Sequence, residues 1–154
     1  MQKEVFVINY KINPVYGWEG ICSLIEKRIN LFPRLAASVT SLEEYAKKID
    51  KNGNAYACML NECDCGLIVF YCNDFTGKEA FISLIGVDQE HQGKKLGQLL
   101  LECCVEKSLQ CGMNYLKLEV GKENKKAQSF YYKNGFENYE ETNRNSIIMI
   151  KKLA

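Results

Sequence analysis

The run Val87-Asp-Gln-Glu-His-Gln-Gly-Lys-Lys-Leu-Gly-Gln-Leu-Leu100 places two glycines, Gly93 and Gly97, around the adjacent lysines Lys94 and Lys95. It begins at the end of an apolar, strand-like stretch and runs into a helix-like one. A strand that feeds a helix through so short a loop aims several unpaired backbone N–H groups at one place, and the helix dipole adds partial positive charge there. That is the chemistry of an anion site, suited to phosphate or pyrophosphate. Gly93 lacks a Cβ and lets an anion approach the main chain, while Lys94 and Lys95 contribute point charges. By spacing alone an ordinary strand-to-helix turn fits as well, with Gly93 at positive φ and Gly97 for close packing.

A second run, Asn124-Lys-Lys-Ala-Gln-Ser-Phe-Tyr-Tyr-Lys-Asn-Gly-Phe136, follows about thirty residues later. Alone, Tyr131 within it reads as one more packing aromatic beside Phe130 and Tyr132. Taken together and in this order, the two runs resemble the GNAT superfamily of N-acetyltransferases. The first resembles that family's acyl-CoA motif: a strand ending in Val, a few polar residues, then Arg or Gln, two variable residues, Gly, one variable residue, and Gly or Ala. Here those positions fall on Val87 and on Gln92, Gly93, Lys94, Lys95, Leu96 and Gly97. Lys95 departs from the pattern, because the family most often has glycine there. In the right-handed helical region a lysine fits without cost, whereas a positive φ would load it with about 1 kcal/mol of strain or more.

The resemblance implies a mixed, mostly antiparallel α/β (α+β) sheet with splayed fourth and fifth strands and helices on both faces. It implies an acyltransferase that moves an acetyl group from acetyl-CoA to a primary amine of a small molecule, amino sugar or peptide, by direct attack in a ternary complex. Another acyl-CoA, or a CoA-binding sensor without turnover, are the alternatives. The implied cofactor-binding set is Ile85, Gly86, Val87, Gln92, Gly93, Lys94, Lys95, Leu96, Gly97, Gln98, Asn124, Ala127, Phe130 and Tyr131. Main-chain groups of Ile85 and Val87 would pair with pantetheine as a neighbouring strand does. Tyr131 is the implied general acid, a phenol with a reference pKa near 10 that stays protonated at neutral pH.

The general base stays open among Glu79, which shares a strand face with Phe81, Glu119 on the fifth strand, and water. His91, the sole histidine, is read as solvated in a polar loop. Tyr16, Trp18, Phe32, Arg34 and Tyr45 are candidate acceptor-lining residues, with Trp18 and Phe32 read as core. Direct attack needs no acyl-enzyme, so the eight cysteines need no nucleophilic role.

The elements that must position these residues follow from the pattern. Residues 4–10 read as a strand that stops at the turn Asn13-Pro14. Apolar spacing predicts a helix over 18–31, and Ser41-Leu-Glu-Glu44 opens another with a capping box. Residues 55–60 and 66–72 read as a hairpin joined by 61–64, and residues 80–87 as a central strand covered on both faces. Leu96, Leu99, Leu100, Cys103, Cys104 and Cys111 mark one stripe of a helix that ends at Gly112. A strand over 115–120, a helix over 125–133 and strands over 135–139 and 146–152 complete one domain spanning residues 1–154.

The chain has 154 residues, 20 Lys+Arg against 19 Asp+Glu, and 47% hydrophobic residues. A domain of this length buries about 70% of its unfolded surface and needs no disulfide or metal to hold a core. A net charge of +1 argues against a nucleic-acid or anionic-membrane binder. No run approaches the roughly 18–20 apolar residues of a membrane span, and no apolar h-region opens the sequence. The expectation is therefore a cytoplasmic monomer or homodimer with reduced thiols. Cys63-Asp64-Cys65 and Cys103-Cys104 lack zinc-site spacing, so no metal is expected.

Overall fold

The computed structural model describes residues 9–154. Those residues form strands β1 (Tyr10–Pro14), β2 (Asn54–Leu60), β3 (Cys63–Asp74), β4 (Glu79–Val87), β5 (Tyr115–Gly121), β6 (Glu137–Glu141) and β7 (Ser146–Lys152). The helices are α1 (Trp18–Glu26), α2 (Pro33–Ser38), α3 (Leu42–Asn52), α4 (Leu96–Gln110) and α5 (Lys125–Lys133). All seven strands join one sheet in the order β1-β2-β3-β4-β5-β7-β6. Neighbours are antiparallel except β4 and β5, which run parallel.

Each face of the sheet buries its own core. On one side α4 and α5 cover Ile68, Phe70, Ala80, Ile82, Leu116, Leu118 and Met149. On the other, α1 and α3 cover Ala55, Ala57, Leu67, Val69 and Leu84. The capping box is present: the Ser41 hydroxyl accepts from the Glu44 N–H at 3.2 Å.

β4 carries the irregularity that matters for the site. Ile82 pairs with Phe70 and Leu84 with Val69, which leaves Ser83 opposite no residue as a bulge. The extra residue reverses the faces, so Ile82 lies in the α4 core whereas Leu84, two residues on, lies in the α1/α3 core. The parallel pairing with β5 covers only Glu79–Ile82 against Tyr115–Leu118. Beyond the bulge the two strands part.

Several boundaries differ from those expected. The first strand runs through Asn13-Pro14 and pairs with β2 from Tyr10↔Leu60 to Pro14↔Tyr56. A proline is tolerated there because β1 is an edge strand. Residues 4–8 of the expected strand lie outside the described residues. The helix expected over 18–31 ends at Glu26 and gives way to a 3-10 turn, after which Pro33 opens the short α2 from its N-terminus. The hairpin turn is only Asn61-Glu62, with Asn61 in the left-handed region at φ 57°, and Cys63 and Asp64 already belong to β3.

The buried stripe of α4 is Leu96, Leu100, Leu101, Cys104 and Ser108. Leu99 is 40% exposed and Cys111 exposed, so both leave the expected stripe. The i, i+4 series through Leu96, Leu100, Cys104 and Ser108 sets the contact line instead. β4 is not covered on both faces throughout, since Phe81 is 38% exposed beside the parting strands.

Candidate functional site

The register of β4 fixes which of its main-chain groups face the gap. The Asp88 N–H donates to Cys65 O at 2.9 Å, which makes Asp88 and Cys65 a hydrogen-bonded pair of the antiparallel ladder. Such pairs alternate, so Gly86↔Leu67 is bonded, whereas Val87↔Gly66 and Ile85↔Ile68 turn their N–H and C=O groups away from β3. Those groups face the space from which β5 has departed. Gln92 takes one of them, its Nε2 donating to Val87 O at 3.0 Å.

The loop after β4 turns at Gly93 (φ 82°) and again at Lys95 (φ 62°), then enters α4. Lys95 therefore sits in the left-handed region and carries the strain that glycine would avoid. It stands at the N-cap of α4 with no side-chain cap. No turn or cap hydrogen bond among the described residues takes the backbone N–H groups of residues 93–98, which is what an anion at a helix N-terminus requires. A Cβ built on Gly93 would meet nothing within 4 Å, so the loop is open on that side. At Gly97 a Cβ would stand 3.4 Å from Phe130, which brings α4 and α5 together across the floor.

α5 is fixed at both ends by its own sequence. The Asn124 side chain accepts from the Ala127 N–H at 3.1 Å and caps the helix. At the other end Phe136 N–H donates to Tyr131 O and Gly135 N–H to Tyr132 O, with Gly135 at φ 89°. These are the two bonds of a Schellman motif, and its apolar contact is the pair Tyr131–Phe136, whose ring centroids lie 5.6 Å apart. The Gly-Phe that follows the helix thus clamps the backbone and ring of Tyr131. Gln128, buried on the same helix, donates to Gly121 O and Lys122 O and ties α5 to the end of β5.

Between these parts lies a cavity of about 790 Å³. Ile85, Gly86, Val87, Gln92, Gly93, Lys95, Leu96, Gly97, Gln98, Asn124, Ala127, Phe130 and Tyr131 line it, and Lys94 does not. His91, Lys126, Lys133 and Asn134 line it as well and were not singled out as binding residues in the sequence. Lys126 and Lys133 sit in the first and last turns of the α5 motif, and their charge beside an expected phosphate site was the available signal. Lys126 Nζ donates to Gln92 Oε1 at 3.3 Å, linking α5 to the loop. Tyr131 is 8% exposed, and burial pushes its phenol up to about 12.

The two glutamates considered as bases lie elsewhere. Glu79 pairs with Lys117 at 3.0 Å, and Glu119 pairs with Arg144. Neither lines the cavity. Of the residues considered for the acceptor side, Phe32 is buried against β4 and Tyr16 is 85% exposed. Trp18 packs against the α1/α3 core with Lys47 Nζ 5.1 Å from its ring centroid, and Tyr45 packs against the same core. Burial raises the Tyr45 phenol to about 12. Arg34 on α2 reaches across to Arg144 O and Asn145 O, both at 3.0 Å, and to Glu123.

The strand edge, the unpaired N–H groups and the open glycine together fit the pantetheine arm and pyrophosphate of a coenzyme A ester. Among the described residues no helix is long and apolar enough to cross a membrane. An N-acetyltransferase of Methanocaldococcus jannaschii, itself uncharacterised, is 32% identical over 101 residues, which are 63% of this chain. The chain spans less than half the length of that relative, 44%.

Solved structures with the same fold include the PaiA N-acetyltransferase of Thermoplasma acidophilum in complex with coenzyme A (TM-score 0.72, 20% identity, 94% of this chain and 99% of that one). The ribosomal-protein-S18-alanine N-acetyltransferase of Escherichia coli is another (TM-score 0.71, 21% identity, 95% of each chain). At these identities the likeness is one of fold. The model of the Acetyltransferase (GNAT) family matches residues 20–136, well over half of the sequence, and the chain belongs to that family.

Proposed function

We propose that the protein transfers an acetyl group from acetyl-CoA to a primary amine of a small molecule, an amino sugar or a peptide by direct attack within a ternary complex. The observation that carries this reading is the single cavity in which the free edge of β4, the loop at Gly93 and the Tyr131 ring meet. When bound, acetyl-CoA would supply an activated thioester. The N–H groups at Ile85 and Val87 hold the pantetheine arm and offer a donor to the developing oxyanion. Residues 92–98 neutralise the pyrophosphate through main-chain N–H groups and Lys95. Tyr131, which lines the cavity, holds its proton at neutral pH and offers it to the leaving sulfur. Water entering between β4 and β5 receives the proton of the acceptor ammonium, Glu79 being held by Lys117 away from the cavity, and the second proton shed by the amine restores Tyr131.

The test is release of free thiol on a panel of amines, amino sugars and peptides. Acetyl-CoA-dependent release with at least one class supports the reading. A second reading, a CoA-binding module without turnover, is favoured by one observation: Glu79 and Glu119 are both engaged by cations away from the cavity. Tight acetyl-CoA binding with no release on any acceptor would decide for it.

A further inference from the structure

Just past α1, Arg28 is 4% exposed, and it is the most buried charged residue among those described. Its guanidinium spans two carboxylates: Nη2 pairs with Asp64 at the start of β3, and Nε lies 2.7 Å from Asp88 Oδ1. Nη2 also donates to Asp88 Oδ2 at 3.3 Å, and Nη1 donates to Leu24 O at 3.0 Å, on the last turn of α1. Lys27 adds a second cation to Asp64 at 3.2 Å. Burial works against charge on Asp64, but Arg28 and Lys27 outweigh it and hold its carboxyl below the usual value.

Asp88 occupies a critical place. Its N–H forms the last rung to β3, the rung that sets which β4 groups face the gap, and its C=O accepts from the His91 N–H at 2.9 Å as the anion loop begins. Its carboxylate is the acidic side chain next to that loop held by a buried cation. Without Arg28, Asp64 would keep Lys27 but Asp88 would lose its partner cation, and that uncompensated negative charge would stand at the root of the loop.

We propose that Arg28 is a positioning residue for the cofactor: it neutralises Asp88 and fixes it at the root of the loop, so that the helix on the opposite face of the sheet sets cofactor affinity. This rests on the acetyl-CoA reading of the cavity. Arg28 does not line the cavity, and its contact with the root of the loop is Asp88.

The experiment compares wild type, Arg28→Met, and the double variant Arg28→Met/Asp88→Asn in calorimetric titrations with coenzyme A, at low and high salt, below the melting temperature of each. Arg28→Met should weaken coenzyme A by about tenfold at low salt and by less at high salt, because exposed charge is screened. The double variant should recover most of that loss, since the uncompensated carboxylate is gone. Arg28→Lys, which keeps the fold with one ammonium unable to bridge both carboxylates, should weaken binding several-fold.

An unchanged constant in Arg28→Lys, or a double variant no better than Arg28→Met, would overturn the proposal and leave Arg28 a purely structural residue. Wild-type protein that binds no coenzyme A would overturn the reading of the cavity and this proposal with it.

Discussion

Gly86 and Phe32 meet with no room to spare: a Cβ on Gly86 would lie 2.9 Å from Phe32 Cζ and 3.2 Å from Leu31 Cδ1. The strand edge that faces the cofactor space is thereby set by the segment between α1 and α2. Gly86→Ala should push Phe32 outward and cost about 1–3 kcal/mol, read by urea unfolding. Because Gly86 also lines the cavity, KM for acetyl-CoA should rise in the same variant. Unchanged stability would show that α2 yields freely.

Lys95 holds φ 62° where glycine is at ease. Lys95→Gly should therefore stabilise the fold, by up to about 1 kcal/mol, while weakening acetyl-CoA binding through the lost ammonium. Melting temperature and dissociation constant should move in opposite directions. A drop in stability would place the strain elsewhere.

At Gly93 (φ 82°) a β-branched side chain is strained and would project into the open mouth of the loop. Gly93→Val should abolish coenzyme A binding, measured by titration, with the circular dichroism of the sheet unaltered. Normal binding would remove the loop from the site.

For Tyr131, Tyr131→Phe should lower kcat by about 100-fold if the phenol donates a proton. Its pKa, pushed to about 12, means that ionisation of Tyr131 should not limit kcat below about pH 11. The sign for stability follows from the same shift. An unfolded phenol ionises near 10 and the folded one near 12, so stability is intact below pH 10 and is lost as the pH rises towards 12. Tyr131→Phe should flatten that alkaline decline, seen in melting curves, and unchanged kcat would remove the acid role.

The thiols give a further check. Cys63 and Cys111 are exposed, whereas Cys58, Cys65, Cys72 and Cys104 are buried, with Cys58 pushed up to about 12 by burial. A disulfide reagent should label the first two quickly in native protein and the buried four only on unfolding, counted by mass spectrometry.

Much of this was legible in the sequence where local chemistry decides. Ser41 with Glu44, Gly112 after α4, and the bounds of α5 and β7 follow from caps, turns and alternation. The loop at 92–98 stood out only beside the second run at 124–136, since its glycines and lysines alone fit an ordinary strand-to-helix turn as well. What escaped depends on tertiary partners. The bulge at Ser83 is defined only by Phe70 and Val69 opposite it. Arg28 reads as an ordinary solvated cation until Asp64 and Asp88, 36 and 60 residues away, are folded against it. Glu79 and Glu119 kept their strand positions, but Lys117 and Arg144, which occupy them, could not be paired from spacing.

The short contact between β4 and β5 has one more consequence. Among the described residues, the ladder between the β1–β4 half of the sheet and the β5–β7–β6 half has only four residue pairs. On the proposed reading, a coenzyme A ester laid along the open seam would bridge the two halves. By mass action, ligand at a hundred times its dissociation constant adds about 2.7 kcal/mol to folding stability. On the proposed acetyl-CoA reading, the stability of the fold would then rise and fall with the concentration of that ligand.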